Sequence, residues 1–132
     1  MAIANLQEKM LFFNQRKSQL TLALSDVQTK QLAAAKKLTQ EQMQYNNQLK
    51  DLYYDPVCGY GSEEYTDLLC ELQNDHEFEL SELNSWESQL EMEKTDLENE
   101  LNIISGYEST FQKLLSSNIK ADFSYGGSGG KS

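Results

Sequence analysis

Apolar side chains recur at alternating three- and four-residue steps along the first part of this chain. The positions on this seam are Ile3, Leu6, Met10, Phe13, Leu20, Leu24, Val27, Ala34 and Leu38, with Lys17 and Gln31 in the slots between them. Such spacing is the a/d pattern of a helix that packs along one edge against another helix. Because no proline or glycine interrupts residues 2–55, the pattern predicts one helix over about residues 3–53.

The seam runs into a segment that holds the chain's single proline and two of its seven glycines. Pro56 has no amide donor, and Gly59 and Gly61 tolerate unusual backbone angles, so we expect a loop over residues 54–62. Ser62 follows, and its oxygen is suited to accept a hydrogen bond from an unpaired amide of a new helix. A second helix is therefore predicted over about residues 63–120.

The second helix has a seam of its own, and residues 1–121 are predicted to form an all-α helical hairpin. The seam comprises Tyr65, Leu69, Leu72, His76, Leu83, Trp86, Leu90, Leu97, Ile104, Phe111 and Leu115, widened by Leu80 and Leu101. Two long helices with a short loop pack antiparallel in a coiled-coil-like pair. Pairing about the loop centre places residue i near residue 117 − i. Residues 122–132 have the composition of a flexible Gly/Ser tail.

Composition agrees with an all-helical chain and argues against several other classes. There are 19 leucines but only six valines and isoleucines together, which does not favour strands. No apolar run approaches the roughly 18 residues needed to span a bilayer. The first residues also show neither the basic start nor the apolar core of a secretory signal. We expect a cytoplasmic protein, or one exported without a conventional signal peptide.

Charge is distributed unequally between the two predicted helices. Residues 2–52 hold seven Lys or Arg and four Asp or Glu, whereas residues 62–120 hold three basic and fifteen acidic residues. The resulting charges are +3 and −12. The second helix would repel a phosphate backbone, and the first has no continuous basic stripe, so we expect no binding to nucleic acid.

Short motifs that suggest catalysis are incomplete in this chain. The fragment Gly126–Ser132 resembles a phosphate-binding loop but has Tyr125 where the pattern needs glycine. His76-Glu77 begins like a zinc-protease helix, yet Leu80 stands where the second histidine belongs. We therefore predict no catalytic, cofactor-binding or metal-binding residues and no enzymatic activity, and we expect His76 to be a packed or half-exposed polar residue.

Two features lie at the loop end of the hairpin. Tyr53, Tyr54, Tyr60 and Tyr65 form a tyrosine cluster there. It either closes the seam or serves as a candidate partner contact, since tyrosine is favoured at recognition surfaces. Cys58 and Cys70 lie twelve residues apart. Free thiols are the default interpretation, and a disulfide between them is the alternative.

Large apolar residues concentrate where the two ends of the hairpin are expected to meet. Met10 to Phe13 are four in succession, and one partner helix cannot cover all four. Ile103, Ile104, Tyr107, Phe111, Leu114 and Leu115 are their counterparts on the second helix. The candidate self-association residues are Met10, Leu11, Phe12, Tyr107, Phe111 and Leu115.

In architecture the chain resembles small bacterial export substrates. These are the WXG100 proteins, which are helical hairpins, and the axial subunits of flagella and secretion needles, whose terminal helices pair. The Trp-x-Gly turn of the first group is missing, because the loop has Tyr60-Gly61-Ser62 and the tryptophan is Trp86 in mid-helix. The two cysteines are unusual for the second group. The resemblance is one of shape and extends over about 120 helical residues.

The predicted function is that of a non-enzymatic structural or assembly protein, a helical-hairpin subunit that forms a homo-oligomer or filament. The resemblance adds export or filament formation in bacteria as an expectation. The alternative is an adaptor or chaperone that binds an amphipathic helix of a partner protein through the outlying Leu11, Leu22, Leu32 and Met43. In both cases the partner is protein.

Overall fold

The computed structural model confirms an all-α hairpin of two long helices that pack against each other. It describes the backbone of residues 3–131 and the side chains of residues 3–120. Helix α1 is Ile3–Tyr53 and helix α2 is Tyr65–Lys131, and no strand occurs among the described residues. Helix α2 continues to Lys131, past the helix end predicted near residue 120. The side chains of the predicted tail, residues 122–132, and those of the Gly126–Ser132 fragment lie outside the described ones, and the tail's flexibility stays a prediction. No helix in the described part of the chain is long and apolar enough to cross a membrane.

The start of α2 follows from the serine cap that the sequence predicts. The Tyr65 amide donates to Ser62 Oγ at 3.1 Å, and the Leu68 amide donates to the Glu64 carbonyl at 3.0 Å. Glu63 and Glu64 lie in the turn that joins the cap to the regular helix. The loop therefore covers residues 54–64, two residues longer than the sequence indicated.

The chain divides into two compact units. Unit 1 comprises Met1–Asp26 and Lys94–Ser132, and unit 2 comprises Val27–Glu93. In unit 1 the fully or almost fully buried side chains are Leu6, Phe13 and Leu20; in unit 2 they are Val27, Ala34, His76 and Leu90. All of these belong to the predicted seams, and none of the other seam residues is fully exposed. The alternating spacing thus located the core correctly in each unit.

Polar residues in the seam of α1 are paired across to α2. In unit 1, Lys17 Nζ lies 3.7 Å from Glu108 Oε1. In unit 2, Gln31 donates to Glu91 Oε2 at 3.0 Å. A polar seam position that has a partner in only one alignment favours that alignment over a slip by one turn. The Lys17 pair therefore helps to fix the register, because Ile104 and Gln112 lie one turn on either side of Glu108. The Gln31 pair is less selective, because Glu87 lies one turn from Glu91.

The observed register differs from pairing about the loop centre by about one helical turn. Phe13 was expected opposite Ile104, but its ring packs on those of Tyr107 and Phe111. Tyr45 likewise packs on His76, four residues beyond Leu72, the position opposite it in the simple pairing. Side chains on a helix lean towards its N-terminus. In an antiparallel pair, this lean displaces the tips on α1 away from the loop and those on α2 towards it, so the packed rings of α1 meet later residues of α2. The longer polar pairs Arg16–Glu100 and Glu41–His76 stay close to the simple pairing.

Gly106 lies inside α2, where a glycine favours a kink or a close packing contact. The structure shows open space around it, since an added Cβ would meet no atom within 4 Å. Gly106 makes no close packing contact, because it lies on the exposed side of α2 rather than on the seam.

Candidate functional site

An aromatic cluster in unit 1 joins the two helices and reaches the surface. Phe13, only 8% exposed, stacks on Tyr107 with ring centroids 6.0 Å apart and lies 5.2 Å from Phe111. Phe12 contacts Phe13 edge-on at 5.8 Å. Phe12 is 59% exposed and Tyr107 is 53% exposed. The buried Phe13 ring therefore connects two exposed rings, one from each helix.

Two aliphatic side chains on α2 extend this exposed surface. Ile103, Tyr107 and Leu114 fall within about 40° of one another around the helix at roughly 100° per residue. Ile103 is 56% exposed and Leu114 is 44% exposed. We call Phe12, Ile103, Tyr107 and Leu114 the unit 1 face. A salt bridge between Arg16 and Glu100 borders it, since Arg16 follows Phe12 by one turn and Glu100 precedes Ile103 by about one turn.

The unit 1 face includes only part of the predicted self-association set. Phe12 and Tyr107 belong to it, whereas Met10, Phe111 and Leu115 are half-buried in the seam. Phe111 is also covered by the Lys9 ammonium group, 5.6 Å from the ring centroid. Leu11 is 59% exposed but points about 200° from Phe13, away from α2. The sequence showed that Ile103 and Leu114 are large apolar residues but did not place them in the self-association set. Their helical spacing with Tyr107 could have predicted that all three lie on one surface.

Charge divides between the folded units differently from the way it divides along the sequence. Unit 1 holds seven Lys or Arg and seven Asp or Glu, so its formal charge is zero. Unit 2 holds four basic and fourteen acidic residues, which accounts for the whole net charge of −10. Long-range repulsion between like charges therefore acts on unit 2 and not on unit 1.

The loop in unit 2 is held by a dense set of hydrogen bonds. Asp55 Oδ1 accepts from the amides of Val57 and Cys58, both at 2.8 Å, and these bonds hold the pKa of Asp55 below its usual value. The Gly59 amide donates to the Asp55 carbonyl at 3.0 Å. An added Cβ on Gly59 would overlap the carbonyl oxygens of Asp55 and Tyr53. Glycine is thus required at this position, and the loop is a packed turn.

The four predicted tyrosines do form a cluster around this turn. Tyr53 is at its centre, stacked on Tyr60 at 5.1 Å and edge-on to Tyr54 at 5.0 Å and to Tyr65 at 6.3 Å. Tyr60 and Tyr65 also meet edge-on at 5.8 Å. Tyr65 is half-buried and closes the seam, whereas Tyr54 and Tyr60 are 74% and 71% exposed. The cluster therefore has an inner, packing side and an outer side that is open to a partner.

Both cysteines are free thiols with different neighbours. The Cys58 thiol donates to Glu64 Oε2 at 3.1 Å, and the Asn74 amide approaches Cys70 Sγ at 3.8 Å. The hydrogen bond to Glu64 raises the pKa of Cys58, and burial and the nearby charges of Glu64 and Asp55 act in the same direction. Such a thiol is held protonated, which disfavours nucleophilic and redox chemistry.

His76 is the buried polar residue that the sequence placed on the seam. Its Nδ1 lies 3.2 Å from Glu41 Oε1, and its ring stacks on Tyr45 with the centroids 3.7 Å apart. Among the described residues, no group of three or more His, Cys, Asp or Glu side chains is arranged to hold a metal ion. These contacts with Glu41 and Tyr45 explain how a polar side chain is accommodated at a buried seam position.

A shallow apolar depression in unit 2 bears on the alternative function. Leu38, Met43 and Leu80 line it together with Thr39, Gln42 and Asn84. Of the outlying residues, Leu32 and Met43 lie in unit 2 and are 74% and 60% exposed, and Leu11 and Leu22 lie in unit 1 and are also exposed. Exposed Met43 therefore borders a depression in unit 2 whose apolar lining could contact an apolar side chain of a partner helix.

No protein-family model matches this chain, and no curated protein and no solved structure is significantly similar to it.

Proposed function

We propose that this protein is a non-enzymatic structural or assembly subunit that associates with copies of itself through the unit 1 face. The observation that carries the proposal is the concentration of Phe12, Ile103, Tyr107 and Leu114 on one surface, each between 44% and 59% exposed. Contiguous apolar surface of this kind marks interaction sites more often than scattered single residues do. Phe12 and Tyr107 are joined through buried Phe13, so the surface is held rigidly.

A second copy is the occupant that the charges favour. Unit 1 has a formal charge of zero, so two unit 1 faces approach without net repulsion. Unit 2 surfaces at −10 each would repel one another. Association through unit 1 thus leaves the charged units free to keep the assembly in solution.

The size of the face predicts weak, concentration-dependent association. Four large side chains about half exposed present about 400 Å² of accessible surface per copy, or about 800 Å² for a pair. Stable protein interfaces bury about 1,200 Å² or more in total. Neighbouring polar residues at the rim must supply the remainder, so we expect dissociation constants in the micromolar range or weaker.

Sedimentation velocity over a wide range of protein concentration tests this proposal. Phe12→Gln and Tyr107→Gln each remove an exposed ring without changing the net charge. Each variant is expected to weaken association by at least about tenfold, since each ring exposes about 100 Å² at roughly 25 cal/mol per Å². The matched control is Phe78→Gln, because Phe78 is 63% exposed but lies in unit 2.

The outcomes separate the proposal from general stickiness of exposed aromatic residues. Reduced mass in the Phe12 and Tyr107 variants with wild-type mass in the Phe78 variant supports it. Equal effects of all three substitutions, or a monomer at every concentration of the unmodified protein, would contradict it. Far-UV circular dichroism of each variant checks that the helices are retained.

The apolar depression in unit 2 supports a second candidate function, that of an adaptor or chaperone for a partner's amphipathic helix. Exposed Met43 beside Leu38 and Leu80 is the observation that favours it, since methionine adapts to varied apolar surfaces. A small, well-defined species that captures a partner helix, with capture lost in Met43→Gln, would favour the adaptor. Large or polydisperse assemblies that are insensitive to Met43→Gln would favour the assembly subunit.

The class of partner completes the proposal. The partner is protein rather than nucleic acid, because the charge of −10 on unit 2 would repel a phosphate backbone.

A further inference from the structure

The loop of unit 2 presents an outward surface that the hairpin does not use. Tyr54, Val57 and Tyr60 are 74%, 76% and 71% exposed, and we call these three residues the loop surface. They are large side chains within seven residues of one another. Neither helix covers them, although Tyr65 beneath them is half-buried at the loop end of the seam.

The loop surface is rigid before any partner arrives. The Tyr60 amide donates to the Tyr53 carbonyl at 3.1 Å, and the Ser62 amide donates to the Gly59 carbonyl at 3.0 Å. Tyr60 is further held by its stacking on Tyr53 and its edge-on contact with Tyr65. A partner would therefore meet rings already in place, and little conformational entropy would be lost on binding.

The charge around these rings has one sign. Residues 51–93 include thirteen Asp or Glu and no Lys or Arg. Asp51, Asp55, Glu63, Glu64 and Asp67 are the carboxylates in the loop and at its borders. An approaching cationic segment is attracted by this field, whereas an acidic or phosphorylated segment is repelled.

We propose that the loop surface binds an arginine-rich segment of another protein. The guanidinium group is planar and weakly hydrated, stacks on tyrosine faces and pairs with carboxylates, so it matches both features of the surface. The stem of an arginine side chain can also pack on Val57. A second copy of this chain is the less favoured occupant, because its own unit 2 also has a charge of −10. This proposal is independent of self-association through unit 1.

The probe is a fluorescein-labelled octa-arginine peptide, titrated with the full-length protein by fluorescence anisotropy at physiological ionic strength. An octa-lysine peptide of equal charge is the reference ligand. We expect octa-arginine to bind more tightly than octa-lysine. Tyr54→Ala is expected to weaken octa-arginine binding several-fold, and adding Tyr60→Ala is expected to weaken it by about tenfold or more. Tyr54→Phe should keep most of the affinity, because the ring face is retained.

A matched acidic control distinguishes the loop surface from general attraction to an acidic protein. Glu82→Gln with Glu93→Gln removes two exposed carboxylates from unit 2 without touching the loop. This double variant is expected to change affinity less than Tyr54→Ala. An equal or larger loss, equal binding of the two peptides, or no binding of octa-arginine would overturn the proposal.

Two further measurements keep the result interpretable. Tyr60 packs on two other rings, so circular dichroism must show that the variant with Tyr60→Ala keeps its helices. If those helices are lost, the affinity of Tyr54→Ala alone decides whether the loop surface binds the peptide, because this change removes only one ring contact. Phe12→Gln should bind octa-arginine like the unmodified protein, whether or not it self-associates. If the Tyr54→Ala variant forms an assembly of lower mass than the unmodified protein does, the occupant of the loop surface is a second copy and the proposal is wrong.

Discussion

Leu20 and Leu22 provide a direct test of the seam, because they are the same residue type on the same helix and in the same unit. Leu20 is 2% exposed and Leu22 is 71% exposed. Replacing a buried leucine by alanine removes its transfer free energy and leaves a cavity, at a cost of about 2–5 kcal/mol. In a pair of helices the neighbours can partly close the gap, so for Leu20→Ala we expect a loss of about 2–3 kcal/mol in the free energy of unfolding.

The expected effect of Leu22→Ala is much smaller. Less than a third of that side chain is covered, and alanine has a slightly better helix propensity than leucine, so the change should lie within about 0.5 kcal/mol. Urea denaturation followed by circular dichroism at 222 nm measures both variants. All samples are compared at one low protein concentration, since self-association would add to apparent stability.

Two results would refute the reasoning. A loss below about 1 kcal/mol for Leu20→Ala would mean that the seam does not stabilise unit 1 as its burial implies. Equal losses for Leu20→Ala and Leu22→Ala would mean that lying on the seam rather than on the exposed face of α1 does not determine how much a leucine contributes to the free energy of unfolding.

Two further predictions concern the glycines and the loop thiol. Gly59→Ala should lower the free energy of unfolding by about 1–3 kcal/mol, because the new Cβ would lie 2.7 Å from the Tyr53 carbonyl oxygen. Gly106→Ala should raise the free energy of unfolding by up to about 1 kcal/mol, because alanine favours the helix and has open space there. Thermal melts compare the two variants. Since Glu64 raises the pKa of Cys58, less thiolate is present at a given pH, and Glu64→Gln should speed alkylation of Cys58 by iodoacetamide near pH 8. Both rates are measured in a Cys70→Ser background, so that only Cys58 reacts. Glu63→Gln in that background is the control, and equal rates in the two variants would contradict the prediction.

The sequence by itself indicated the two helices, the loop between them and the composition of the core. Alternating three- and four-residue spacing identified the seam, because only one face of each helix can be withdrawn from water. Pro56, the first proline or glycine in the chain, marked the end of α1, and Ser62 identified the cap of α2. These are local properties, set by backbone sterics and by helical periodicity, and they need no knowledge of what lies opposite.

Only the tertiary structure decided which residues meet and which surfaces remain open. The lean of the side chains displaced the ring contacts by about one turn and brought Phe13 against Tyr107 and Phe111. Folding also placed the first part of α1 and the last part of α2 in one unit, and this turned halves of charge +3 and −12 into a neutral unit and an acidic one. Each depends on atoms far apart in the chain approaching to within contact distance, which local sequence patterns do not encode.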